Sequence, residues 1–379
     1  MSNEVNKKQT LGKFDITGHI SVDGKVFTLG SKSKNNPTWV SHIFNPRVEG
    51  ANGSSMFIRI QDGYDSAKGK TIYARSTDDK QMEIAFGDRN NQAILERVND
   101  MSFIKVFFKR VEKENESGKK YTTWEEPKKF LTMYDAIEFL NQIMPLGFKK
   151  KVRLFGDLRY SEYNGKAQRN FEVKTIYILT DNEEEGSERP LEFKFTQNII
   201  IIGDAADTTK LDDEGVLTIN AKLYVKKPKT KDKYELLNLP LVMRTNEEKG
   251  KEIYRQVANK YFTVDTDKVR RVNVEGIFQC GYVSANVTQG ELPEEALELI
   301  AEGLYSEEEV MKLYAKKEKV DELVVKRPIA KIVDGRPQVD MDETTYSMAD
   351  IELAMKENDD EVVKFDDEDN SLLLELENF

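Results

Sequence analysis

The stretch "KKVRLFGDLRYSEYNGKAQRNFEVKTIYIL" at residues 150–179 predicts one long β-hairpin, and the interpretation of the whole chain starts from it. Apolar and polar residues alternate on both sides of Asn164-Gly165. Asn-Gly between two alternating runs is the strongest short-range signal of a two-residue hairpin turn. We therefore expect two long antiparallel strands here.

Similar strand patterns lie on both sides of this hairpin. A further hairpin is predicted at 14–30 around Asp23-Gly24, and strands are predicted at 55–64, 81–86, 101–110, 191–202, 215–227, 236–244 and 268–287. Apolar residues at helical spacing predict helices within 91–100, 133–144 and 246–261. After Thr288 the pattern becomes helical, with Pro293 near one helix start and a second helix running into the lysines at 316, 317 and 319.

These patterns predict a mainly β fold with short helices. Two β-rich units, each with a helix before a late strand, are typical of OB-type barrels, although SH3-like barrels or a β-sandwich would give similar patterns. A weak similarity between "GHISVDGK" (18–25) and "GDLRYSEYNGK" (156–166) is what a duplicated unit would leave. The predicted organisation is an N-terminal OB-like domain (1–147), a second OB-like domain (148–290), a helical segment (291–335) and a disordered acidic tail (336–379).

Composition excludes several classes of function. One cysteine, Cys280, excludes an intramolecular disulfide, and with two histidines it leaves too few ligands for a Cys/His zinc cluster. The longest apolar run, "NIIIIG" at 198–203, is too short to span a bilayer, and the N-terminus carries no signal-peptide pattern. No dinucleotide-binding or P-loop motif is present. We expect a cytoplasmic, non-enzymatic protein without cofactor or metal.

The negative charge of the chain is concentrated at its end. Residues 336–379 hold fifteen acidic and three basic side chains, a net charge of −12, whereas the whole chain carries −11. The body is therefore nearly neutral, and its bases cluster in "KKKVR" (149–153), "VKKPKTKDK" (225–233) and "DKVRR" (267–271). Basic clusters attract polyanions, and the acidic block is self-repelling.

Basic and aromatic residues recur together on predicted strands. In "VLTINAKLYVKK" at 216–227, one face is apolar and the other presents Tyr224 between two lysines, which suits single-stranded nucleic acid: bases stack on the ring and ammonium groups follow the phosphates. An ordinary solvent-exposed face is the alternative. The candidate nucleic-acid-binding residues are Lys151, Arg153, Tyr160, Tyr163, Lys166, Arg169, Lys222, Tyr224, Lys226, Lys227, Arg270, Arg271 and, in polar loops, Trp39 and Trp124.

The chain ends in "DDEDNSLLLELENF" at 366–379. With the β-rich body, this end resembles bacterial and bacteriophage single-stranded DNA-binding proteins, which combine OB folds with an acidic C-terminal tail that often finishes on an aromatic. The pattern departs from that family in having no Gly- or Gln-rich linker, a longer body, and Asn378 where a proline is usual.

The resemblance implies a protein that coats single-stranded DNA in replication or recombination and recruits partner proteins through its tail. The tail residues that would contact a partner are Asp366, Asp367, Glu368, Asp369, Leu374, Leu376 and Phe379. The acidic tail would also compete with nucleic acid for the basic surface. A structural or assembly protein, for example a phage particle component, is the alternative, because the body has almost no net charge.

Overall fold

The computed structural model describes residues 9–34, 36–163, 166–179, 190–227, 233–245, 250–284, 292–303, 305–307, 310 and 317–359. The strands, in chain order, are β1 (Gly12–Ser21), β2 (Phe27–Lys32), β3 (Trp39–Phe44), β4 (Arg47–Glu49), β5 (Ser55–Phe57), β6 (Ile60–Asp65), β7 (Thr71–Arg75), β8 (Gln81–Ala85), β9 (Ile104–Phe107), β10 (Arg110–Glu114), β11 (Lys120–Trp124), β12 (Lys128–Phe130), β13 (Lys149–Tyr163), β14 (Lys166–Ile178), β15 (Glu192–Ile202), β16 (Ala206–Asp207), β17 (Val216–Lys226), β18 (Tyr234–Arg244), β19 (Val269–Ser284), β20 (Lys317–Pro328), β21 (Ala330–Val333), β22 (Arg336–Val339) and β23 (Met341–Asp342). The helices are α1 (Gln92–Leu95), α2 (Met133–Ile143), α3 (Gly250–Tyr261), α4 (Glu294–Ala301) and α5 (Met348–Asp359).

Five strands in the C-terminal half form a closed barrel. β15 pairs with β17, β17 with β18, β18 with β20, β20 with β19, and β19 returns to β15. All of these pairs are antiparallel except β18 with β20, and α3 stands in the chain between β18 and β19. Five strands closed in this order, with one helix before the fourth strand, make an OB-type barrel, so the predicted mainly β, OB-like class is confirmed.

The N-terminal half repeats part of this order. β1 pairs with β13, β13 with β14, and β14 runs parallel to β9, which corresponds to strands one, four, five and three of the barrel. α2 precedes β13 just as α3 precedes β19. Thr132 Oγ1 accepts a hydrogen bond from the backbone N–H of Asp135 and caps α2, whose residues Ile137 and Leu140 are buried. The predicted long hairpin is thus present as β13 and β14, with Tyr163 opposite Lys166.

The repeat is visible residue by residue in the fourth strands. β13 and β19 each shift register at a buried glycine, Gly156 and Gly276, where an added Cβ would lie 2.1 Å from the carbonyl oxygen of Glu172 or of Val324. Both positions therefore require glycine, and such bulges bend and twist a strand. The sequence "VRLFGDLRY" (152–160) corresponds to "VNVEGIFQC" (272–280). The match proposed above between 18–25 and 156–166 is wrong, since those segments lie in a first and a fourth strand.

The two halves join through their first strands. β1 and β15 pair antiparallel with Phe14 opposite Phe195, and one buried cluster of apolar side chains extends through both halves. Strand pairing groups the hairpin of β13 and β14 with β1, whereas the sequence pattern predicts it in the unit beginning at 148. The expected hairpin at 14–30 does not form among the described residues: β1 pairs with β4, β13 and β15, and β2 pairs with β3.

The C-terminal segment differs most from prediction. α4 is present in the segment predicted to be helical, but Lys317–Pro328 is the strand that closes the barrel. Its β-branched Val320, Val324 and Val325 favour a strand once β18 and β19 are available as neighbours.

The first half of the predicted disordered tail is folded. β23 pairs with β19, and α5 packs on the barrel with Ile351 and Ala354 buried. A reciprocal capping box begins α5: the backbone N–H of Asp350 donates to Ser347 Oγ, and the backbone N–H of Ser347 donates to Asp350 Oδ2. None of the helices in the described ranges is long and apolar enough to cross a membrane.

Candidate functional site

A groove of about 980 Å³ opens along β14 at residues 168–174. At the corresponding place in the barrel, β20 is hydrogen-bonded to β18 at Val324 and Val242. In the N-terminal half, the described pairing of β9 with β14 runs from Thr175 to Tyr177, beyond the groove. The groove therefore lies where the incomplete barrel of the N-terminal half is not closed between β9 and β14. β5, β6 and β7 form its opposite wall.

Two exposed aromatic rings stand on this opposite wall. Along β5 and into β6, Met56, Ile58 and Ile60 are buried, so strand alternation turns Phe57 and Arg59 outward. Along β7, Ile72 is buried in a small satellite core and Tyr73 points outward. Phe57 is 65% exposed and Tyr73 is 66% exposed. Large exposed rings that line one groove are available to stack on a planar ligand.

Cationic and amide side chains stand on the wall formed by β13 and β14. Arg159, Lys174, Gln168 and Asn170 all line the groove. Arg159 Nε donates to Glu172 Oε2 at 2.9 Å, and Lys174 Nζ donates to Glu172 Oε1. Burial opposes ionisation of Glu172, but the hydrogen bonds from Lys174 and Arg159 outweigh it, so the pKa of this carboxyl lies below its ordinary value.

Two further cations lie near the aromatic rings. Lys70 pairs with Asp62, and Arg59 donates from Nε and Nη2 to Gln61 Oε1 at 3.2 and 3.0 Å. Cations beside exposed rings match the two parts of a single-stranded nucleic acid, in which the phosphates are charged and the unpaired bases are flat.

Of the hairpin residues predicted from sequence, Arg169 lines this groove and forms an ion pair with Asp321 of the barrel. Arg153 is held by two hydrogen bonds to the Asp15 carboxylate, and Lys151 is half-buried on the same face of β13. Tyr160 is 9% exposed, so its expected exposure near the hairpin tip is wrong: it lies on the inward face of β13. The side chains of Tyr163 and Lys166 lie outside the described structure.

The barrel residues predicted from sequence do not form an open aromatic surface. Tyr224 is 1% exposed, with its ring stacked on Tyr234 and next to Tyr346. The C-terminal segment covers this face, which overturns the prediction that Tyr224 faces solvent. Burial lowers the pKa of Lys222, which donates to Asn238, while Lys226 is exposed and Lys227 is half-buried.

Acidic side chains of the C-terminal segment hold the predicted arginines of the barrel. Arg270 pairs with Glu343 at 2.7 Å. Arg271 pairs with Asp340 at 3.0 Å and with Asp342 at 2.6 Å. The part of the acidic tail that the structure describes therefore contacts basic residues of the body.

The tryptophans lie away from the groove. Trp39 begins β3 and is half-buried. Trp124 packs against Phe107 and Tyr177, with the guanidinium of Arg110 4.8 Å from its ring centroid. The tail residues predicted to contact partners, Asp366, Asp367, Glu368, Asp369, Leu374, Leu376 and Phe379, lie outside the described residues.

Sequence reasoning missed Phe57, Arg59, Tyr73, Arg159 and Lys174. A signal was present, because "SMFIRI" (55–60) and "TIYAR" (71–75) alternate apolar residues with aromatic and basic ones in the same way as 216–227. The pattern alone does not distinguish an exposed face from one that a later segment covers.

Comparison with known proteins adds little to this geometry. No family model matches the sequence, and no curated protein matches it. Among solved structures, the chain is similar to the single-stranded DNA binding protein from Thermus aquaticus, with 8% sequence identity, a TM-score of 0.31, and coverage of 72% of this chain and 87% of that one. The OB-type fold therefore rests on strand pairing alone.

Proposed function

We propose that this chain binds single-stranded DNA, without catalysis, in the groove between β14 and β5–β7. The observation that carries the proposal is the pair of exposed rings, Phe57 and Tyr73, facing a wall that bears Arg159 and Lys174. Stacking on rings and contacts to phosphates are both independent of base identity, so binding should tolerate many sequences.

The position of the groove in the fold supports the same proposal. OB folds bind oligonucleotides on the face of strands two and three, bordered by the loop between strands four and five. In this chain the hairpin of β13 and β14 supplies strands four and five, and one arm of that hairpin lines the groove. The gap between β9 and β14 at this place leaves room for an extended DNA strand.

The test is fluorescence anisotropy of a labelled oligo-dT with the intact protein, at about 50 mM salt and then at increasing salt. We expect tight binding that weakens as salt rises. Replacing both Phe57 and Tyr73 with alanine should weaken it, by about 1–3 kcal/mol for each ring that stacks on a base. Since both rings are exposed, the fold should be retained.

Tyr121→Ala is the matched control, because Tyr121 is also an exposed ring, 47% accessible, but lies on β11 away from the groove lining. Absence of oligo-dT binding by the intact protein at low salt would refute the proposal. Equal losses in the control and the groove variant would refute the location. Stable oligomers without oligonucleotide affinity would favour the assembly role instead.

We propose in addition that residues 366–379 recruit proteins of replication or recombination in the cytoplasm. This part of the proposal is supported by the sequence alone, through the acidic run followed by leucines and Phe379. An aromatic side chain close to acidic side chains suits capture in a small pocket flanked by basic residues.

A further inference from the structure

Glu172 holds two cations of the groove at the same time. Its carboxylate accepts a hydrogen bond from Arg159 Nε at 2.9 Å and another from Lys174 Nζ, and all three residues line the groove. The three side chains are 41–44% exposed, so they face the solvent of the groove rather than the core. An anion that bridges two cations in this way has the charge and acceptor geometry of a phosphate.

The other carboxylate of the groove has a different set of contacts. Asp62 accepts from Lys70, and its second oxygen also accepts from the backbone N–H of Tyr134 at 3.2 Å in the first turn of α2. Asp62 is therefore part of the attachment of a helix. The contacts of Glu172 are to the two groove cations, and these cations belong to the same pair of strands as Glu172 itself.

We propose that Glu172 occupies the place of a phosphate in the empty groove and is displaced by a phosphate of the bound strand. This inference rests on the proposed function and adds an internal competitor to it. A DNA strand whose phosphate contacts Arg159 and Lys174 replaces one anion, Glu172, with another. Its binding therefore releases fewer counterions than binding to two unpaired cations would. Glu172 therefore lowers the affinity and weakens its dependence on salt.

The test compares Glu172→Gln with the intact protein in the oligo-dT assay. The amide keeps the shape of the side chain and removes the charge. We expect a rise in affinity of about two- to fivefold at low salt, the size typical of one exposed ion pair in competition. The slope of log K against log salt should steepen by about 0.7, because one phosphate contact is then made without loss of a competing carboxylate.

Glu275→Gln is the matched control. Glu275 pairs with Arg327 at 2.6 Å on the barrel, away from the groove, and its replacement changes the net charge by the same amount. This control should leave both the affinity and the salt slope near those of the intact protein. A gain equal to that of Glu172→Gln would show a general charge effect and overturn the inference.

A second measurement does not depend on the variant. The ¹³C shift of the Glu172 carboxyl, followed against pH with and without oligo-dT, reports its ionisation directly. Displacement from Arg159 and Lys174 should raise the pKa of this carboxyl when the strand is bound.

The two proposals fail in different ways. If the intact protein does not bind oligo-dT, the proposed function is wrong. If it binds but the Glu172→Gln affinity, the salt slope and the Glu172 pKa are all unchanged, the function stands and the role of Glu172 is refuted.

Discussion

Replacing Asp340 with asparagine should loosen the C-terminal segment from the barrel at neutral pH. Asp340 Oδ1 accepts from Arg271 at 3.0 Å and from Lys331 at 2.8 Å, and Oδ2 accepts from Asn273 at 3.1 Å. Its side chain is 19% exposed. The variant keeps the shape of the side chain and removes the charge that these three donors contact.

The size of the effect follows from the pKa of Asp340. Burial alone would raise it, but hydrogen bonds from Lys331, Arg271 and Asn273 outweigh burial and lower the pKa from 3.8 to about 2. A difference of this size corresponds to about 2 kcal/mol between the folded and released segment. Because the folded pKa is the lower one, this stabilisation is present above pH 3.8 and is lost as pH falls towards 2.

Amide hydrogen exchange in α5 measures this free energy directly, since exchange there requires local opening of the segment. At pH 7, protection factors in α5 should fall about 30-fold in Asp340→Asn, the equivalent of about 2 kcal/mol. At pH 2.5 the two proteins should be much closer.

Asp265→Asn is the control, because Asp265 is an exposed carboxylate, 70% accessible, that pairs with Lys268 outside the C-terminal segment. It should leave α5 protection unchanged. Unchanged protection in Asp340→Asn at pH 7, or the same difference at both pH values, would show that the Asp340 charge does not hold the segment.

Two further predictions concern which parts of the chain affect binding. Truncation after Asp359 should raise oligo-dT affinity at low salt, because residues 360–379 carry a net negative charge that would compete with nucleic acid; lower affinity in the binding assay would contradict competition by the tail. Lys222→Gln with Lys226→Gln should change the affinity less than twofold, because the neighbouring Tyr224 is buried; a loss as large as that of the groove variant would place a second site on the barrel.

Local features of the fold could be predicted from sequence, and features set by distant partners could not. The hairpin of β13 and β14 is specified by its own alternation and by Asn164-Gly165, and α2 by apolar spacing and a capping threonine. The sequence predicts helix at β20 because the pattern before it is helical and charged. Its conformation depends on β18 and β19, which lie far away in sequence.

The same limit applies to the site. Strand alternation correctly separates inward from outward side chains at 55–60 and 71–75, and it does so at 216–227 as well. Residues far away in the sequence cover the outward face at 216–227. Tyr346, with the pKa of its hydroxyl raised to about 12 by burial, lies over Tyr224. Nothing near Tyr224 in the sequence indicates this partner.

The repeated architecture explains why the two halves should differ in binding. In register, Gln279 of the barrel takes the place of Arg159, since each stands three residues beyond its glycine bulge. The residue opposite Asp157 is Glu172, and the residue opposite the corresponding Ile277 is Val324, which is 7% exposed and pairs with Val242 of β18.

Closing the barrel therefore replaces a charged groove with packed apolar side chains. Its outer face, which carries Tyr224 and Arg271, is covered by the chain's own C-terminal segment, and Glu343 of that segment also pairs with Arg270. The N-terminal half, left open along β14, keeps its cations and rings accessible. If the groove binds single-stranded DNA as proposed, each chain should have one binding site for it. The C-terminal barrel should support that site and hold the acidic C-terminal segment.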